Sequence, residues 1–466
     1  MKAMQVQGLW WLPEAPAKKL FGTLSCNDDG EIRLSVFGSF DPSARGVDRR
    51  YATILGTTDQ ERKYQEVTLR DCFLSKQSIS GGLLGIKQEF FAHRAFLGAQ
   101  LTAESEFAFE TASVLFSGLA AWADNFTGFS PDSQHTSIVW EHPVLLSGKI
   151  LDGTFTLGVG CQSSMGGRER KLTEDVGISF GFSTAISEHE LSAKVISPFQ
   201  NFFTFATDIP NAMTRLTVSH APVSFDNITV IGPRIFTDES GAEDLMSFKM
   251  LFSLNDVRAR LERLFNRWLE ISHRFEHALV VYFAGIYNPA EYSDLRFQHI
   301  MNVLTLYGSA QRLDAAERLT STEAILDNAI RNLPELQAML LKDLFKSHPI
   351  VSAERALIAL LELHKNEMIS LVTDKNGRGA DAFIRFVLNT LTFTMTRERP
   401  DGPFAADGAD LHWLTERITF LVKISLLKEL EFTSEEVHKI LQRNRSFRHL
   451  ADNIQPGSSW GTSGGM

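Results

Sequence analysis

The chain has 466 residues, 44% of them hydrophobic and 22% charged, ordinary globular values with room for two or three domains that each bury a core. Lys and Arg number 46 against 56 Asp and Glu, a net charge of −10 at pH 7. That argues against a surface that coats nucleic acid generally, while a local basic cleft stays open, because electrostatic footprints depend on how charge is distributed. No apolar run reaches the roughly 18 residues that span a bilayer. The opening Met1-Lys2-Ala3-Met4-Gln5 lacks the basic-then-apolar order of a signal peptide. Cys26, Cys72 and Cys161 lie far apart, an odd number without metal-ligand spacing. They read as reduced packing residues of a cytoplasmic protein that uses no metal or cofactor and has no membrane partner.

Up to about residue 235 the pattern is short runs of period two broken by turn residues. Lys18–Leu24 and Glu31–Phe37 alternate around Cys26-Asn27-Asp28-Asp29-Gly30, a hairpin signal. Further strands are expected at Ala52–Leu55, Glu66–Phe73, Thr136–Trp140, Gly153–Val159, Ile178–Phe182 and Glu190–Ile196. Many short strands in succession predict an antiparallel, sandwich-like or barrel-like sheet rather than a βαβ protein. One helical insertion is expected from Pro198 to Asp208, where phenylalanines crowd too densely for alternation and Ser197-Pro198 marks an entry.

From about residue 254 the period becomes 3.6. Asn255 or Asp256 can cap a helix lined by Val257, Leu261, Leu264, Phe265, Trp268, Leu269 and Ile271. Further helices are expected over 276–286, 291–312, 321–346, 352–372, 380–395, 409–430 and 434–451, the last behind the capping sequence Thr433-Ser434-Glu435-Glu436. The chain therefore reads as an α+β multidomain protein: a β-rich domain over 1–245, a helical domain over 246–452, and a Gly/Ser-rich disordered tail over 453–466.

Three places carry a family resemblance. Gly8-Leu9-Trp10-Trp11-Leu12-Pro13 with Phe21-Gly22-Thr23-Leu24, and Ser197–Asp208 with Ile209-Pro210, resemble the N-terminal domain of ApeA-type bacterial abortive-infection proteins. Leu295-Arg296-Phe297 through Leu304-Thr305-Leu306-Tyr307, with Leu426-Leu427-Lys428-Glu429-Leu430-Glu431-Phe432, is similar to the HEPN domain that follows it in the same proteins. The resemblance implies an anti-phage protein whose helical half dimerises and cuts RNA, such as tRNA, without metal, under control of a phage-derived trigger. It implies a catalytic run of the form Thr-Arg-Asn-x-x-x-His on the penultimate helix. Here Leu391 stands at the arginine, Thr392 at the asparagine and Thr396 at the histidine, and Thr305 or a neighbour replaces a glutamate expected on the Arg296-Phe297 helix.

The chemistry itself needs few groups. An imidazole can accept the ribose 2′-hydroxyl proton or protonate the leaving oxygen, a guanidinium can hold the phosphate charge, and an asparagine can orient either. Leucine and threonine replace none of these. A second candidate run is Arg443-Asn444-Arg445-Ser446-Phe447-Arg448-His449. Arg443, Asn444 and His449 would be catalytic there, and Arg445 and Arg448 would bind RNA. On one continuous helix Arg443 and His449 would point about 120° apart, so they share a face only if the helix bends or ends between them. The competing reading is a solvated basic helix end. Two functions remain open: a metal-independent endoribonuclease, or a degenerate HEPN protein acting as sensor, scaffold or partner of an active nuclease.

Other features read as structure. Gly166–Lys171 and Ser80–Gly85 fit turns better than phosphate loops, since GxxxxGK[ST] is absent. Trp10-Trp11 fits core, and His273 with His277, four apart on a helix, has no third metal ligand.

Overall fold

The computed structural model describes residues 3–41, 49–59, 66–79, 85–123, 129–131, 138–140, 144–166, 169–220, 227–232, 245–288, 292–311, 352–372, 379–397 and 405–453. The chain divides into two compact units, Met1–Asn266 and Arg267–Met466. The sheet gives way to helix near Leu245–Ser253, as the change of period indicates, whereas the units part inside the Leu261–Arg274 helix.

The first six strands close on themselves. β1 (Met4–Trp11), β2 (Leu20–Cys26), β3 (Ile32–Phe37), β4 (Arg50–Thr58), β5 (Glu66–Ile79) and β6 (Ile86–Leu97) pair antiparallel in the ring β6-β3-β2-β1-β4-β5-β6. Inward residues at every second position, Val6, Leu24, Ile32, Leu34, Val36 and Leu69 among them, fill the ring with apolar side chains. Trp10 is fully buried there, and two glycines make room for its indole. A Cβ on Gly56 would fall 2.3 Å from Trp10 Cζ3, and one on Gly22 3.1 Å from Trp10 Cδ1. The hairpin expected around Asp28-Asp29-Gly30 is β2–β3, with Cys26 opposite Ile32 and Gly30 at φ 80°.

The ring passes into an open antiparallel sheet along β6. Over Lys87–Ala92 this strand pairs with β3, and over Ala95–Leu97 with β14. Beyond it lie β7 (Ala108–Phe116), β10 (Val144–Ile150), β11 (Gly153–Gly166), β12 (Glu169–Ser187), β13 (Met213–Ser219) and β14 (Ile228–Ile231), in the order β14-β13-β7-β12-β11-β10. β8 (Phe129–Pro131) and β9 (Ile138–Trp140) form a separate two-stranded ladder.

The strand expected at Glu190–Ile196 is helical instead. Ser187 accepts a hydrogen bond from the Glu190 N–H at 3.3 Å and donates to its carboxylate at 3.0 Å, starting the Glu188–Leu191 helix. A π-helical turn, Ser192–Ile196, follows and runs into the Ser197–Thr207 helix. Leu191, Val195 and Ile196 are buried at helical spacing, which overrides the apparent alternation. The phenylalanines of the next helix pack on the open sheet, Phe199 at 4.9 Å from Phe180 and Phe203 at 5.4 Å from Phe116. Phe265 closes this cluster, 4.9 Å from Phe199, 5.1 Å from Phe202 and 4.9 Å from Phe155. That packing draws the chain as far as Asn266 into the β unit.

The second unit is helical. Its described helices after Leu261–Arg274 are Glu276–Tyr287, Ser293–Ala310, Ala353–Leu363, Lys365–Val372, Ala380–Thr396, Gly408–Glu429, Ser434–Arg443 and Arg445–Asn453. The Gly408–Glu429 helix is buried on most sides, with Leu411, Leu414, Ile418, Leu421, Ile424 and Leu427 inside. Two helices expected to be continuous are broken, 352–372 at His364 (φ −124°, ψ 35°) and 434–451 at Asn444 (φ −65°, ψ 122°). Thr433 and Glu436 form the expected reciprocal cap. Before the first long helix the cap is Ser253, whose N–H donates to Asp256 at 2.8 Å, so that helical stretch starts ahead of Asn255. The helix expected at 321–346 and the tail from residue 454 lie outside the described residues.

Candidate functional site

The break at Asn444 decides the geometry of the C-terminal basic run. Asn444 is fully buried, and its side-chain oxygen accepts the Phe447 N–H at 2.9 Å, capping the Arg445–Asn453 helix. Arg443 is the last residue of the preceding helix and is half-buried. It and His449 therefore sit on different helices, and the 120° separation of a continuous helix does not apply. Asn444 is committed to the cap, which occupies the group that would otherwise orient a catalytic partner.

The last helix is anchored through Leu450, buried, and Phe447, whose ring lies 5.2 Å from Phe420. Burial of that side leaves Arg445, Arg448 and His449 exposed together, at positions i, i+3 and i+4. His449 lies against the half-buried Trp413, with ring centroids 5.3 Å apart, and exposed His412 lies 4.9 Å from the same indole. The result is a small exposed surface of two arginines and two imidazoles beside an aromatic ring, chemistry that suits phosphate and a stacked base. Sequence spacing did not single out His412 or Trp413. Their only signal was an aromatic–histidine pair near the start of a long apolar helix.

At the family's expected position the side chains are spent on the backbone. Thr392 donates to the Leu388 carbonyl at 3.1 Å and Thr396 to the Thr392 carbonyl at 2.9 Å, while Leu391 is half-buried. Thr305 likewise donates to the Met301 carbonyl at 2.9 Å.

The Ser293–Ala310 and Gly408–Glu429 helices meet at Glu429. Tyr307 donates to its carboxylate at 3.3 Å, Gln311 donates to the same oxygen, Arg267 bonds the other oxygen at 3.1 Å, and Arg274 lies 3.8 Å away. Burial, and after it the Glu429 carboxylate, push the Tyr307 phenol above its ordinary range. Close by, burial holds His364 below the usual imidazole value against the opposing charge of Glu367. With its charges paired, this cluster is a brace for the helical unit.

In the β unit a cavity of about 100 Å³ is lined by Arg94, Glu188, Ser192, Gln200, Leu216 and Gly232. Arg94 pairs with Glu188 at 2.8 Å. Trp10 and Trp11 are core residues, as read from the sequence. His273 and His277 are exposed, and among the described residues no group of three or more His, Cys, Asp or Glu can hold a metal. The arginine and lysine side chains of the 166–171 turn, and most of the 80–85 turn, lie outside the described residues.

The sequence matches the model of the ApeA N-terminal domain 1 family over residues 5–268. The chain belongs to this family. The match takes in the closed ring, the open sheet and the Phe265 cluster, and it ends close to the division between the units. Membership of the ApeA family associates the protein, at a general level, with anti-phage defence. No curated protein and no solved structure matches the chain. No described helix is long and apolar enough to cross a membrane.

Proposed function

We propose that the protein is an abortive-infection effector whose helical unit, HEPN-like, engages RNA and cleaves it without a metal. A phage product acting through the β unit would release that activity, and the helical unit would work as a homodimer. The observation that carries the reading is the exposed surface formed by Arg445, Arg448 and His449 beside Trp413. In a chain of net charge −10 it gathers cations, an imidazole and an aromatic face in one place. His449 supplies proton transfer, Arg448 and Arg445 hold phosphate, and Arg443 contributes from the adjoining helix. The 2′-hydroxyl is then the nucleophile, and the products carry 2′,3′-cyclic phosphate and 5′-hydroxyl ends. Incubating the purified protein with total tRNA in EDTA tests this. Fragments with those ends support the reading, and intact RNA under conditions in which the protein arrests growth overturns it.

One set of contacts favours a second reading. The hydroxyls of Thr392 and Thr396 bond their own helix where the family would carry asparagine and histidine. A degenerate HEPN unit serving as sensor, scaffold or partner of a separate nuclease fits those positions, and in that case defence persists without cleavage by this chain.

A further inference from the structure

Cleavage through the 2′-hydroxyl needs two proton transfers, one from the attacking oxygen and one to the leaving 5′-oxygen. The surface built on the last helix holds two imidazoles, not one. His412 stands near the start of the Gly408–Glu429 helix and His449 in the middle of the Arg445–Asn453 helix. Both are exposed, and each ring lies within 5.3 Å of the Trp413 indole. The two helices pack together through the Phe420–Phe447 contact at 5.2 Å. The imidazoles thus stand on different elements, each beside the same indole, with Arg445 and Arg448 on the helix of His449. Among the described residues, neither ring takes part in a salt bridge or a side-chain hydrogen bond, and both residues are exposed. Trp413, half-buried, offers an edge against which a base can rest.

We infer that His412 is the second proton-transfer group of the RNA site, so that a single chain holds both the acid and the base. This rests on the proposed nuclease reading and goes beyond it, because it removes the need for a second chain to complete the chemistry. One imidazole takes the 2′-hydroxyl proton as the O2′–P bond forms. The P–O5′ bond breaks, and the other imidazolium gives its proton to the departing 5′-oxygen. The products are a 2′,3′-cyclic phosphate and a 5′-hydroxyl, with no oxidant, reductant or metal required. The arginines hold the phosphoryl charge throughout.

The test uses the full chain and two substrates, a short RNA and uridine 3′-(p-nitrophenyl phosphate), whose leaving group departs without protonation. His412→Ala and His449→Ala should each lower RNA cleavage by roughly 100- to 10,000-fold. One of the two variants, the one lacking the acid, should recover most of its activity on the nitrophenyl ester, and the other should not. A purely structural effect would depress both substrates alike in both variants. RNA cleavage by His412→Ala within about twofold of the parent, with His449→Ala inactive, overturns the role of His412 and leaves the nuclease reading standing. If the parent protein cleaves neither substrate even with lysate of phage-infected cells added to supply the trigger, the nuclease reading and this inference fall together.

Discussion

The side-chain oxygen of Asn444 accepts the backbone N–H of Phe447 at 2.9 Å, and this one bond turns a basic run into two helices. With Asn444 fully buried, the side chain contributes to stability instead of to a surface site. Asn444→Ala should lower stability by about 1–2 kcal/mol, the usual worth of a lost N-cap. Asn444→Asp should retain most of it, since a carboxylate oxygen can take the same N–H. Urea unfolding midpoints check this, and an alanine variant as stable as the parent would show that the cap is not what holds the break.

The glycines of the closed ring invite a similar experiment. A Cβ on Gly56 would lie 2.3 Å from the ring of Trp10, which is fully buried and hemmed in by the apolar core. Gly56→Ala should therefore cost about 1–3 kcal/mol through overpacking. In a Trp10→Phe background the same change should cost less, because the smaller ring vacates the space. A double-mutant cycle by chemical denaturation measures that coupling. Additive effects would argue against the contact.

The position of Phe265 predicts where the β unit can be cut. A fragment ending at residue 245 loses Phe252 and Phe265, which pack against the Ser197–Thr207 phenylalanines. It should be insoluble or markedly less stable than a fragment ending at residue 268. Thermal melts of the two fragments decide between a boundary at 245 and one inside the Leu261–Arg274 helix.

Acid should weaken the helical unit through His364. Its folded pKa is lowered, first by burial, while Glu367 and Glu429 pull the other way and Lys428 adds to the lowering. The unfolded chain then binds more protons than the folded one below about pH 6.5. Stability is complete above that value and is lost as pH falls from there toward the folded pKa. His364→Gln should show a flatter dependence of melting temperature on pH between about 6.5 and 5. An unchanged slope would place the proton uptake elsewhere.

Much of the β unit was legible because its rule is local. The β2–β3 hairpin follows from two alternating runs and a turn glycine at φ 80°, and the Ser197–Thr207 helix from a proline entry and dense phenylalanines. The alternation left a sandwich and a barrel both open, and which strands close the ring was not legible, since β5–β6 and β1–β4 pairing is decided by contacts distant in sequence. The helix after Ser187 had a signal that alternation masked: Ser187 and Glu190 form an S-x-x-E capping pair. At the candidate site, Arg445, Arg448 and His449 could be placed on one helix from spacing alone. The withdrawal of Asn444 into a cap, and the approach of His412 and Trp413 from another helix, are tertiary facts that no spacing encodes.

The sharpest prediction concerns which cations matter for RNA. Arg448 is exposed on the same helix as His449, whereas Arg443 is half-buried on the one before it. A phosphate approaching His449 meets Arg448 first. Arg448→Ala should therefore reduce cleavage more than Arg443→Ala, and His449→Ala should reduce it most, by roughly 100- to 10,000-fold. Folding should survive the His449 and Arg448 changes, because both residues are exposed and substitutions at such positions usually move stability by about 0.5 kcal/mol or less. Added EDTA should leave the rate unchanged, as proton transfer and guanidinium groups alone carry the proposed reaction. Gel assays on tRNA with the three variants, alongside circular dichroism to confirm the fold, measure this ordering. A nuclease indifferent to all three substitutions would place its chemistry outside this surface, and a chain that protects cells from phage without cutting RNA would favour the partner role over the enzyme.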